Sequence, residues 1–189
     1  MASKGPMVQG TDGSDHLHRQ TIALHYSQSV INKSRLKWSI TMHYLLFGLM
    51  VAKLTDDILD RFDVFILELQ QLYIPKPMIW EWIWTLSVFF NYIASKAMKK
   101  NNPTSMKFYL FIINLTAIFP VFYAMIVYLS DFLVYFETRD VTKVTHVWNK
   151  YPLAVIWYGF LLVALQVHLA QFVFAYKLIK VWSLKKRRE

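Results

Sequence analysis

Three groups of residues have the types and spacing for chemistry. The first is Asp12, Asp15, His16 and His18, carboxylates and imidazoles of the kind that ligate cations. Their spacing does not follow an EF-hand loop, which needs a Gly at its sixth position and a Glu at its twelfth. The expected role is a turn and a helix cap: Gly13 is free to take positive φ, and Ser14 or Asp15 caps the helix that follows. The second group is His43, Glu81 and His168, ionisable side chains within apolar segments, the composition of a polar path or proton relay. The third is a set of polar side chains at helical spacing: Ser87 and Asn91, Asn114, and His168 with Gln171. With no Cys in the chain, disulfides, thiolate metal sites and cysteine nucleophiles are excluded. There is no His-Glu-x-x-His, no Gly-x-Ser-x-Gly and no phosphate-cradling glycine loop. The chain is therefore expected to be no enzyme and to need no cofactor and no metal.

The elements that carry these residues are set by hydropathy. Of the 189 residues 56% are hydrophobic and only 17% charged, against roughly 25% charged in a soluble domain, so much of the apolar surface must face lipid. Four apolar runs read as membrane spans: 38–54, 77–95, 108–129 and 151–176. About 20 helical residues cross a hydrocarbon core. The first run is short, so Lys53 is expected to snorkel to the interface. Tryptophans crowd the boundaries: Trp38, then Trp80, Trp82 and Trp84, then Trp148 and Trp157, where an indole keeps its N–H among headgroups. Pro77 and Pro152 open helices where a missing N–H costs nothing. Pro120 sits within the third run and is expected to kink it.

Charge sets the orientation. The arm 1–37, the second loop 96–107 and the tail 177–189 are rich in Lys and Arg, whereas the first loop 55–76 is acidic and the third, 130–150, is mixed. Short loops rich in Lys/Arg remain cytosolic, which places both termini in the cytosol and the loops 55–76 and 130–150 in the lumen. The net charge of +9 is thus a topology signal, and no nucleic-acid partner is implied. The expected fold is an all-α membrane protein, a four-span helical bundle preceded by an N-terminal amphipathic helix.

Within that bundle the polar set Ser87, Asn91, Asn114, His168 and Gln171 is expected to form an interhelical seam, each bridge worth about 1 kcal/mol. A relay through His43, Glu81 and His168 is the weaker reading, because His43 lies near the cytosolic end of its helix and Glu81 near the lumenal end. Glu81 also stands in a first helical turn, where a carboxylate suits the helix dipole. In the arm, Leu17, Leu24 and Ile31 recur at seven-residue spacing with Ile22 nearby, one apolar face of a helix expected to lie in the headgroup layer. The tail residues Lys185, Lys186, Arg187 and Arg188 anchor the cytosolic side. They also resemble a dilysine retrieval signal of the kind a COPI-type coat recognises, with Arg187 in place of the expected Lys and Arg187-Arg188 as a diarginine alternative.

The arm "GTDGSD…HR…ALHYSQSV", then "NKSRLKW" and "VAKLTDDILD", and in the last span and tail "LQVHLAQF" and "YKLIKVWSLKK", together resemble the Jagunal family of endoplasmic-reticulum membrane proteins, in order and over nearly the whole chain. The resemblance implies a four-span protein of the endoplasmic reticulum with cytosolic termini, serving reticulum organisation and vesicle-mediated transport in the secretory pathway without catalysis. The bilayer is then its first partner, and coat or other trafficking proteins would meet the tail. The rival reading from the residues alone is a small transporter or channel that uses the polar faces and the Pro120 kink. A non-catalytic subunit of a lipid-modifying complex is a third.

Overall fold

The computed structural model describes residues 14–186, with side chains over 19–183. It is all-α apart from one small hairpin. The helices run in the order α1 (Ser14–Asp60), α2 (Leu67–Gln70), α3 (Ile79–Leu86), α4 (Asn91–Lys100), α5 (Pro103–Ile113), α6 (Phe119–Thr138) and α7 (Leu153–Lys186). A 3-10 turn, Ser87–Phe90, joins α3 to α4, and a π turn, Asn114–Ile118, joins α5 to α6. Among the described residues, two helices are long and apolar enough to cross a membrane, Pro103–Thr138 and Leu153–Ser183. The other two apolar runs lie in a helix that extends far beyond the run (α1) and in the interrupted pair α3–α4.

α1 and α7 form the most extensive helix pair. Ser29 meets Trp182, Ser39 meets Gln171, His43 meets His168, and Lys53 meets Trp157. Partners advance along α1 as they retreat along α7, so the helices are antiparallel. From Ser29 to Lys53 the contact extends about 36 Å at 1.5 Å per residue. The arm is therefore continuous with the first apolar run and not a separate helix. It is the first half of α1, and from Ser29 onward it packs on the last turns of α7. Leu36 is fully buried there, while Ile22, Leu24 and Ile31 are exposed. The reason is local: between Ser14 and Asp60 there is no Pro and Gly48 is the only Gly, so α1 continues out of the apolar run and along α7.

The same overhang shortens the connections. The basic stretch 96–107 is mostly helical, because α4 runs to Lys100 and α5 starts at Pro103. Asn101 takes the left-handed conformation (φ 51°) that closes α4, and the Asn102 side chain accepts from the Thr104 and Ser105 N–H groups at 2.9 and 3.3 Å. Pro103 then occupies the first helical position, where no N–H is needed. The tail likewise continues α7 as far as Lys186.

The turns at the opposite end are tied to one another. Asn149 and Lys150, at φ 45° and 71°, form the two-residue turn of a hairpin in which Val147–Trp148 pairs with Tyr151–Pro152. Positive φ at both central positions matches the twist of the strands. The Trp148 indole N–H and the Asn149 amide both donate to the Leu72 carbonyl, at 2.9 and 3.3 Å, joining the loop 139–152 to the connection between α2 and α3. Asp131 near the end of α6 accepts from the Thr145 and His146 N–H groups and lies 2.7 Å from His146 Nδ1.

Candidate functional site: a buried polar cluster

The surface and interior have exchanged their usual chemistry. Leu45, Leu49, Phe89, Phe111, Phe119 and Ile126 are each more than half exposed, whereas His43, Ser87, Asn91, His168 and Gln171 have no exposed surface. Those five polar side chains converge from α1, the Ser87–Phe90 turn, α4 and α7, and hydrogen bonds connect them.

Bond directions can be read outward from groups that only donate or only accept. The Trp84 indole is a donor only, so its N–H donates to His168 Nε2 at 3.0 Å. His168 Nδ1 must then carry the proton, and it donates to Gln171 Oε1 at 2.9 Å. On the other side, the Ser87 hydroxyl donates to the Trp84 carbonyl and so accepts from His43 Nε2 at 3.1 Å. His43 Nδ1 accepts from the Asn91 amide at 3.0 Å, and Asn91 Oδ1 accepts from the Tyr109 hydroxyl at 3.2 Å. Gln171 Nε2 lies 3.5 Å from both the Ser39 carbonyl and His43 Nδ1. Every bond is consistent with two neutral imidazoles of opposite tautomer, the Nε2-protonated form at His43 and the Nδ1-protonated form at His168. Their rings meet edge to face at 4.6 Å between centroids.

This arrangement is poor wiring for protons. Between Ser87 and His168 the bonds run through Trp84, whose indole cannot accept a proton and whose carbonyl cannot donate one, or through His43 and the Gln171 amide, whose Nε2 only donates and whose Oε1 only accepts. What the arrangement does well is bind helices. Each bridge within an apolar surrounding stabilises the bundle by about 1 kcal/mol, and a partner left unsatisfied there costs about 1–3 kcal/mol. The 3-10 turn at Ser87–Phe90 sits at the centre, where the tightened backbone brings the Ser87 hydroxyl under His43.

Asn114 stands apart from the cluster. Its amide donates to the Leu110 carbonyl at 2.7 Å, and Thr116 donates to the Ile112 carbonyl at 2.9 Å. Both serve the π turn that precedes Pro120, where the altered backbone pattern leaves carbonyls to satisfy. The backbone irregularity nearest Pro120 is this π turn, Asn114–Ile118, just upstream of it. Spacing alone did not single out Trp84, Tyr109 or Ser39, whose polar atoms complete the cluster.

A second polar contact lies toward the acidic end. Lys53 of α1 forms an ion pair with Glu81 of α3, whose side chain is 1% exposed, and its ammonium lies 5.7 Å over the Trp157 ring. Lys53 therefore turns into the bundle instead of snorkelling outward, because a carboxylate and an indole face await it there. The other oxygen of Glu81 accepts from the Met78 N–H at 3.1 Å, capping α3. Glu81 is thus 28 residues from its partner in sequence and has no part in the histidine cluster.

The remaining predicted sites fall at the edges of what is described. Leu17, Lys185 and Lys186 are helical in backbone, with side chains outside the described residues, and Arg187 and Arg188 lie outside altogether, as do Asp12 and the side chains of Asp15, His16 and His18. Among the described residues no group of His, Asp and Glu is arranged to hold a metal.

Two apolar helices of membrane-spanning length, large apolar side chains outside and hydrogen-bonded polar groups inside define the class as an all-α protein whose build is consistent with insertion into a bilayer. The chain belongs to the Jagunal family, whose model, described as "Jagunal, ER re-organisation during oogenesis", matches residues 1–186. It is 43% identical over 191 residues to Protein jagunal of Drosophila melanogaster, covering 98% of this chain and 96% of the relative. It is 28% identical to Protein jagunal homolog of Caenorhabditis elegans, over 99% of this chain and 100% of the relative. With Protein jagunal homolog 1 of Homo sapiens the identity is 29%, over 96% of this chain and 94% of the relative. The family is described by a role in organising the endoplasmic reticulum and not by a reaction.

Proposed function

We propose that this chain is a four-span protein of the endoplasmic-reticulum membrane, with both termini cytosolic, that organises the reticulum and supports vesicle-mediated transport from it without catalysis. The observation that carries this reading is the end-to-end correspondence with a family described by reticulum re-organisation. Its orientation is supported by charge: from Thr21 to Thr55, from Trp82 to Ser130 and from Thr142 to Lys186 the sequence has no Asp or Glu. The acids of the described side chains thus gather at one end of the bundle, and the uncompensated Lys and Arg at the other, the pattern of a positive-inside protein. The cytosolic end presents the docked ends of α1 and α7 and the basic tail to coat or other trafficking proteins.

The test has two arms. In cells lacking the chain, a synchronised secretory reporter should leave the reticulum slowly and reticulum shape should be altered. Wild type should restore both, and a variant with Lys185, Lys186, Arg187 and Arg188 changed to Ser should restore shape but not exit. Normal shape and exit in the absence of the chain would overturn the proposal. Orientation is tested separately in a chain that has no native Cys: Asn101→Cys should react with an impermeant maleimide from the cytosol, and Lys150→Cys only after the membrane is opened.

A transporter is disfavoured by the bond directions. A carrier needs polar groups free to exchange partners, and the polar atoms of His43, Asn91 and His168 are each spent on a neighbour.

A further inference from the structure

At the basic end, residues of α1 and α4 line a cavity of about 640 Å³. Three lysines line it: Lys33 and Lys37, one turn apart on α1, and Lys99 on α4. Its floor is apolar, formed by the buried side chains of Ile40 and Met98, and Ser95 adds a hydroxyl. The Lys33 ammonium is steadied 5.7 Å over the Trp182 ring, so the cavity also borders the contact between α1 and α7.

Among the described residues these cations have no counter-charge: the ion pairs there involve Lys53, Arg61 and His146, all at the other end, and no acid occurs in the segments that build the cavity. Burial first, and the Lys37 charge second, push the Lys33 ammonium below its usual range. Three like charges held around an apolar floor call for a multiply charged anion with an apolar continuation. The register of α1 places Lys37 immediately before the apolar run that starts at Trp38, which is headgroup depth, and basic pockets between helices on this side suit phosphorylated inositol lipids. Phosphatidylserine fits less well, since its own ammonium would face the lysines, whereas a phosphate monoester brings about −1.5 to −2 charges and three acceptor oxygens.

We propose that this cavity binds the headgroup of a phosphoinositide of the cytosolic leaflet, its monoester phosphate held by Lys33, Lys37 and Lys99 and its glycerol end lying on Ile40 and Met98. The leaflet, though not the binding, rests on the orientation proposed above.

The full chain in phosphatidylcholine nanodiscs containing phosphatidylinositol 4-phosphate should retain bound phosphoinositide by native mass spectrometry, and should retain less phosphatidylserine at matched charge. The variant K33Q/K37Q/K99Q should bind about tenfold less or weaker still, from the loss of three near-surface cations. K33R/K37R/K99R should keep binding, and K76Q/K143Q/K150Q should match wild type. Equal binding by the first and last of these variants would overturn the site. In the wild-type chain, the lipid should shield Lys33, Lys37 and Lys99 from amine acetylation more than Lys96 and Lys107, which keeps the proposal testable if the glutamine variant does not fold; equal labelling would overturn it. Soluble inositol 1,4-bisphosphate displacing the lipid at equal concentration would show a site for a free phosphate and sink the lipid assignment. The Asn101→Cys labelling above reports orientation alone: lumenal reactivity alongside retained lipid would overturn the leaflet and the orientation while leaving the headgroup site standing.

Discussion

The Trp84 indole N–H donates to Nε2 of His168 across 3.0 Å, joining residues 84 positions apart. That single bond sets the tautomer of His168 and, through Nδ1, the orientation of Gln171. It also closes α3 against α7 in a region where neither side chain meets solvent.

The two partners of that bond should be energetically coupled. Trp84→Phe strips His168 of its donor, and His168→Leu leaves the indole N–H and Gln171 Oε1 without partners; each should lower stability by about 1–3 kcal/mol. The double variant should lose less than the sum, with a coupling of about 0.5–3 kcal/mol. Unfolding midpoints of the four proteins in one lipid or detergent check this, and strict additivity would mean that the bond contributes nothing.

The ion pair of Lys53 and Glu81 should behave asymmetrically. Lys53→Met leaves the Glu81 carboxylate, 1% exposed, without its cation, a change that costs about 3–5 kcal/mol for buried pairs. Glu81→Gln leaves the ammonium partly solvated and keeps an acceptor for the Met78 N–H, so it should be the milder change. Thermal unfolding of the two single variants, ranked against wild type, decides it, and the reverse order would count against a buried pair.

Docking of the arm on α7 predicts a specific proximity. With no native Cys to interfere, Ser29→Cys combined with Trp182→Cys should be joined within one chain by a short thiol-to-thiol crosslinker. Leu24→Cys combined with Trp182→Cys should not, because Leu24 is more than one helical turn from Ser29. An arm lying in the headgroup layer away from α7 would give no crosslink with either pair.

The exposed turn after α6 supplies a pH prediction. The Thr142 hydroxyl and then the Thr142 N–H donate to Asp140 and hold its carboxyl below the usual carboxylate range. A depressed folded pKa means that the cap is fully present above the unfolded value, about 3.9 for Asp, and is lost as pH falls through the lower folded value. The Thr142 amide proton shift should therefore be flat from neutral pH to about 4 and move only below it. Asp140→Asn should remove the transition.

Parts of this architecture are legible residue by residue. Apolar runs announce helices because a backbone in lipid must satisfy its own N–H and C=O groups. The separation of acids from bases is likewise a property of the chain, and so are the stops at Asn101-Asn102-Pro103, where side-chain chemistry acts on the nearest backbone. The family follows from the linear order of residues over the whole length.

Partnerships between segments are decided elsewhere. Spacing puts His168 and Gln171 on one face of α7, yet it cannot tell that His43 and Trp84 will meet them or that Asn114 will turn back to the Leu110 carbonyl of its own helix. Lys53 is equally able to reach headgroups or Glu81, and the depth at which α1 packs against α3 settles which. The arm illustrates the same point: its sequence makes a helix, and only α7 beside it makes that helix a docked one. The physical reason is that local periodicity fixes a side chain's direction about its own helix axis, whereas the relative register of two helices depends on how whole faces fit together, a sum over contacts that no short stretch contains.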